Sequence, residues 1–189
     1  MLTFAKKYGR NVYSQNGEDG ILEEIINRIQ PEMKTAVEFG APTWEYCSNT
    51  AYLADKGWTV TMYDIETNDP KVTRMAITPA NVSQIVGEPT VLSIDCDGED
   101  YHIWKAYNKT PAIVIIEINS GIDPTKWETP GDRGASYFPM VQLGIGKGYK
   151  LICHTGNLVF VDKKYADIFP EIIGHPMHDH RLYFNRSWL

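Results

Sequence analysis

Cysteine is scarce in this chain: Cys47, Cys96 and Cys153 stand among 189 residues. The number is odd and no two form a C-x-x-C pair, which argues against a disulfide framework and against a structural zinc site. A reducing, cytoplasmic compartment is the expectation. Positive charge is in deficit, with 18 Lys and Arg against 24 Asp and Glu and a formal net charge of -6. Proteins that grip nucleic-acid backbones neutralise phosphates with Lys and Arg, so that class of partner is not expected. Long apolar runs are missing as well. No segment approaches the roughly 20 residues a helix needs to cross a bilayer, and no membrane partner is expected. The opening "MLTFAKKYGRNVY" lacks the apolar core of a secretory signal. No repeat, low-complexity tract or linker rich in Pro, Gly or Ser divides the chain.

What is present is an ordinary globular balance, 43% hydrophobic and 22% charged, enough for one full core. A single domain is expected over 1–189, with an N-terminal helical cap at 1–33, a core at 34–162 and a C-terminal tail at 163–189. Ile21, Leu22, Ile25, Ile26 and Ile29 fall on one helical stripe, closed by Pro31. "TAVEFG" reads as a strand, "EYCSNTAYLADKG" as a helix stopped by Gly57, and "WTVTMYDIE" as a strand. A weaker strand "VTRMAIT", a short helix in "PANVSQIVG", the strand "PTVLSIDCDG" and the helix "EDYHIWKAYN" follow. "PAIVIIEIN" is apolar on both faces, the mark of a central buried strand. A long loop, "SGIDPTKWETPGDRGAS", leads to a helix in "YFPMVQLGIGKG" and to a hairpin in "YKLICHTGNLVFVDKKY". Alternating strands and helices predict a Rossmann-like α/β fold with helices on both faces of a mostly parallel sheet, the hairpin adding one antiparallel strand.

Open sheets of this kind bind ligands at the carboxyl ends of their strands. Those ends carry Glu38 and Gly40, Asp64 and Glu66, Thr78 and Asn81, Asp95 and Asp97, Glu117 and Asn119, and His154 and Asn157. Gly40 lets backbone approach a ligand closely. An acid placed like Asp64 can accept hydrogen bonds from both hydroxyls of a ribose. Asp95 and Asp97, near the acid of "EIN", offer the oxygens a divalent cation such as magnesium requires, although Asp97 and Glu99 also suit a helix start. His154, with its titration near neutrality, is a candidate general base. His175, His178 and His180 have the composition of a metal tract, but a tail containing Pro176 reads better as an exposed or docking segment.

"YSQNGEDG" at 13–20, followed by "VEFGA", "SNTAYLADKGW", "SIDCDGEDYHIWKA", "VIIEINS" and "KGYKLICHTGNLVFV", resembles the FkbM-type methyltransferases over most of 13–161. That family belongs to the class I fold that uses S-adenosylmethionine. The resemblance implies that Glu38, Gly40 and Ala41 line the methionine and ribose side of the cofactor, with Asn49 and Thr50 opening the first helix against it. It further implies that Asp64 holds the ribose, that Asn81 lies near the adenine, and that Asp95 and Asp97 face the transferred methyl. Gln15 and Asp19 would close the pocket from the N-terminal helix. By likeness to sugar-hydroxyl methyltransferases, Asp95 and Glu117 would hold magnesium. The implied activity is O-methylation of a small acceptor, a sugar among the candidates, with Asp95 or His154 as base. The loop departs from the family pattern at Pro42, Thr43 and Trp44, where a second glycine is usual. Proline lacks an N–H, and Trp44 is expected to fill space at the amino-acid end of the cofactor. That departure supports an alternative: a non-catalytic or repurposed domain that binds a nucleotide-like ligand or a protein.

Overall fold

A computed structural model describes residues 3–123, 126 and 134–174. Seven strands form one sheet: β1 Thr35–Phe39, β2 Thr59–Asp64, β3 Thr73–Arg74, β4 Val91–Ile94, β5 Ile113–Glu117, β6 Tyr149–His154 and β7 Asn157–Asp162. Their spatial order is β3-β2-β1-β4-β5-β7-β6. The first five run parallel, and β7 lies antiparallel to both of its neighbours. The expected single antiparallel strand is therefore β7, inserted between β5 and β6. The helices are α1 Phe4–Tyr8, α2 Glu18–Ile29, α3 Ala51–Asp55, α4 Val82–Ile85, α5 Asp100–Ala106 and α6 Tyr137–Gly146, with a 3-10 turn over Lys163–Ile168. This is an α/β protein of the Rossmann-like kind.

Each face of the sheet has its own core, and β5 explains why. Val114 and Ile116 point to one side with α4, α5 and α6, where Val82, Ile103, Trp104 and Met140 pack. Ile113 and Ile115 point to the other with α1 and α2, where Phe4, Ile21, Leu22 and Ile25 pack. A strand covered on both faces must be apolar at every position, as this one is. The 1–33 segment thus forms one of the layers, and Phe169 beyond residue 162 joins the same core. Ile26, the fifth residue of the α2 stripe, packs at its edge. Among the described residues, no helix is long and apolar enough to cross a membrane.

Three elements differ from the sequence expectation. The helix expected to begin near Glu45 begins at Ala51. Glu38, at the heart of β1, captures the N–H groups of Asn49 and Thr50 and the hydroxyls of Ser48 and Thr50, and Cys47 takes a positive φ of 60°. Those bonds hold 47–50 as a loop. The strand expected over "VTRMAIT" is only two residues long, at the sheet edge. Helix α1 was not expected, since five residues are too few to show a period.

Candidate functional site

The carboxyl ends of β1, β2 and β4 are tied together around Gly40. Its N–H donates to the Tyr63 carbonyl at 2.9 Å, and the Asp95 N–H donates to the Phe39 carbonyl at 3.1 Å. Gly40 has φ of +82°, and a Cβ there would lie 1.4 Å from the Asp95 carbonyl oxygen. No other residue fits.

Two cavities open at this edge. The larger, about 300 Å³, lies beside Gly40 and is walled by Asp64, Met75, Thr78, Asp95 and Asp97. The smaller, about 80 Å³, lies among Gln15, Glu18, Asn49, Asp95, Glu117 and Asn157. Asp95 lines both. Among the described residues, neither cavity is lined by Lys, Arg or His. The region therefore disfavours anions such as phosphates and suits a neutral or cationic ligand.

Asp95, Asp97 and Glu117 each present a carboxylate oxygen, all within 4.8 Å of one another. The Asp95 carboxyl is pushed well up, first by burial and then by Glu117, Asp100 and Asp97. Glu117 is also raised, first by burial and then by Asp100 and Asp97, while a hydrogen bond with Asp95 pulls it part of the way back. Three hard oxygens at this spacing fit a hexacoordinate divalent cation after a small closure, with waters completing the shell. The loop bearing them is held by Asp100, which accepts the Cys96 N–H at 2.6 Å and the Gly98 N–H at 3.0 Å. Asp100→Ala strands both N–H groups and is expected to cost on the order of 2–4 kcal/mol in chemical denaturation. Asp100→Asn, which keeps an acceptor, should lose less.

The structure brings some of the expected residues to the cavities and not others. Gln15 and Asn49 line the smaller one; Gly40, Asp64 and Asp97 line the larger. Asp64 lends one oxygen to the Glu66 N–H at 2.7 Å. Glu38 lines neither: it is buried, and its two oxygens serve Ser48, Asn49 and Thr50. Burial pushes its carboxyl up, and those donors pull it back down. Thr50 is spent on the same bonds. Ala41 is buried in a small apolar cluster with Met62 and Val72. Asn81 clamps the edge of the larger cavity from outside, accepting the Thr78 N–H at 2.8 Å and donating to the Ala76 carbonyl at 2.9 Å. Asp19 gathers the N–H groups of Val12, Tyr13 and Ser14 at 2.7, 2.8 and 2.8 Å, shaping the loop that carries Gln15.

Glu38, Ala41 and Thr50 thus stand apart from both cavities, and two further expectations need correction. His154 is fully buried, packed against Tyr137 and 3.2 Å from the Ser120 hydroxyl, and it lines neither cavity. The final residue of β6 lies on the far side of β7, away from Asp95. Trp44 lines neither cavity. Its N–H donates to Asp69 at 2.8 Å, and the Thr67 hydroxyl donates to the Pro42 carbonyl at 2.7 Å. These bonds turn the loop outward, where Trp44 packs on the cluster around Met62 and lies under Lys71. The histidines of the tail fall outside the described residues.

Glu18, Asn157 and Asp100 belong to the site region without having been singled out for these roles. Glu18 and Asn157 are 139 residues apart and meet only through the fold. Compared with known proteins, the chain matches no family model and no curated protein.

Proposed function

We propose that the protein is an S-adenosylmethionine-dependent methyltransferase acting on a hydroxyl of a small acceptor, a sugar among the candidates. The observation that carries this reading is a nucleoside-sized cavity at the carboxyl ends of β1, β2 and β4, lined by apolar residues and by Asp64, Asp95, Asp97 and Glu99, with no cationic side chain among the described residues. Those residues give a nucleotide phosphate no positive partner, whereas a ligand with a nucleoside and a positive charge suits both features. In this reading Asp64, which lines the cavity, would accept the ribose hydroxyls, and Gly40 would offer bare backbone beneath them. The cofactor, when bound, supplies an electrophilic methyl group on sulfonium sulfur. The chain's part is to align the acceptor and to receive its proton. In this reading the candidate proton acceptor is the deprotonated Asp95–Glu117 pair, of which Asp95 reaches both cavities. A divalent cation held by Asp95, Asp97 and Glu117 would acidify an acceptor hydroxyl. His154 has no part in this scheme.

The test is calorimetric titration with S-adenosylmethionine and S-adenosylhomocysteine, with and without magnesium. Micromolar binding is expected. Absence of binding under every condition would move the assignment to the repurposed domain. Because Trp44 faces away from the cavity, Trp44→Ala should leave S-adenosylhomocysteine affinity within about threefold of the parent. A much larger loss would show that the 42–46 loop takes part in binding.

A further inference from the structure

The N-terminal loop and the turn between β6 and β7 meet over the smaller cavity, joined by one buried carboxyl. Glu18 is fully buried at the start of α2. One of its oxygens accepts the Asn16 N–H at 2.8 Å. The other accepts the Thr155 hydroxyl at 2.8 Å and the Asn157 side-chain amide at 3.3 Å. Gln15 and Asn16 line the cavity on one side of it, and Gly156 and Asn157 on the other. The adjacent Asp19 has already drawn residues 12–14 into a fixed loop, so the loop meets the hairpin turn as a preformed unit. Burying a carboxyl is costly unless it is hydrogen-bonded, and here the bonds cross the chain exactly where the cavity needs a wall on each side.

We infer that Glu18 is a positioning residue that latches the N-terminal loop to the β6–β7 turn, and so sets the width of the smaller cavity beside Asp95 and Glu117. Although it lines that cavity, its two oxygens are engaged by Asn16, Thr155 and Asn157, and it acts through them. That this cavity receives the acceptor rests on the methyltransferase reading; the latch itself does not.

The reporters are already in the chain. Cys47 lines the smaller cavity and Cys96 the larger. Thr155→Val removes a latch bond without disturbing the carboxyl, Thr155→Ser restores the hydroxyl, and Glu18→Gln weakens the latch from its other end. The measurement is the rate of modification of each thiol by a soluble alkylating reagent, read by peptide mass spectrometry well below the unfolding temperature. Thr155→Val and Glu18→Gln are expected to speed Cys47 about tenfold, the scale of one lost hydrogen bond, while Cys96 is unchanged. Thr155→Ser should return Cys47 to the parent rate. Equal acceleration of both cysteines would mean general loosening and would overturn the latch, as would an unchanged Cys47 rate. S-adenosylhomocysteine titration of the parent decides the methyltransferase reading separately, so the two failures cannot be confused.

Discussion

Gly40→Ala is expected to be the most damaging single-methyl change in the sheet. The added Cβ would stand 1.4 Å from the Asp95 carbonyl oxygen, in a backbone conformation with φ of +82°. That oxygen is main chain and cannot swing aside. To relieve the overlap, the ends of β1 and β4 must part, breaking the bond from Asp95 to Phe39 and straining the one from Gly40 to Tyr63 on β2. A loss above about 4 kcal/mol is expected, with the ligand cavity lost even where the chain still folds. Gly57 provides the control. It has φ of +80°, but a Cβ there would meet nothing within 4 Å. Gly57→Ala should cost only the left-handed strain, about 1–2 kcal/mol. Denaturant titration of both variants separates strain from collision. Similar losses in the two would refute the proposed contact between Gly40 and Asp95.

Asp95→Asn is expected to make the ligand-free protein more stable than its parent at alkaline pH and about equally stable near pH 4. In the folded state, burial and then Glu117 raise the Asp95 carboxyl. A group raised on folding contributes its stability below its unfolded value, about 3.9 for Asp, and loses it as pH climbs through the folded value. The parent should therefore weaken from about pH 4 upward, and the variant should weaken less, by a difference on the order of 2 kcal/mol at high pH. Magnesium should rescue the parent at alkaline pH by compensating the carboxylates. The variant keeps a neutral ligand oxygen but loses one negative charge, and should bind the ion about 10- to 100-fold more weakly. Thermal melts of both proteins across this range, with and without magnesium, provide the check. Parallel curves for the two proteins would show that Asp95 is not perturbed in the folded state.

How much of this was legible in the sequence depended on the range of the interaction. β5 declared itself because a strand buried on both faces leaves an unbroken apolar run. The hairpin of β6 and β7 and the helix α2 were visible for similarly local reasons. The cluster of Asp95, Asp97 and Glu117 could be anticipated, since each acid stands at a strand end and strand ends converge. Glu38 could not be assigned correctly: an acid at the end of a strand looks the same whether it faces a ligand or captures the 48–50 segment. His154 was misread because residue spacing places it at a strand end but does not reveal that β7 is inserted before β6 in the sheet. Trp44 was misread for want of its partner, Asp69, which is 25 residues away.

The insertion of β7 also bears on how the chain reaches its structure. β5 pairs on one side with β4 and on the other with β7, the last strand among the described residues. Until residues 157–162 are in place, the most apolar strand of the protein is an open edge, able to pair with another chain. A nascent or truncated chain ending before Asn157 therefore carries the aggregation hazard that the finished protein hides. Sheet closure waits for the final hairpin, which makes folding a late, long-range event rather than a stepwise growth from the N-terminus.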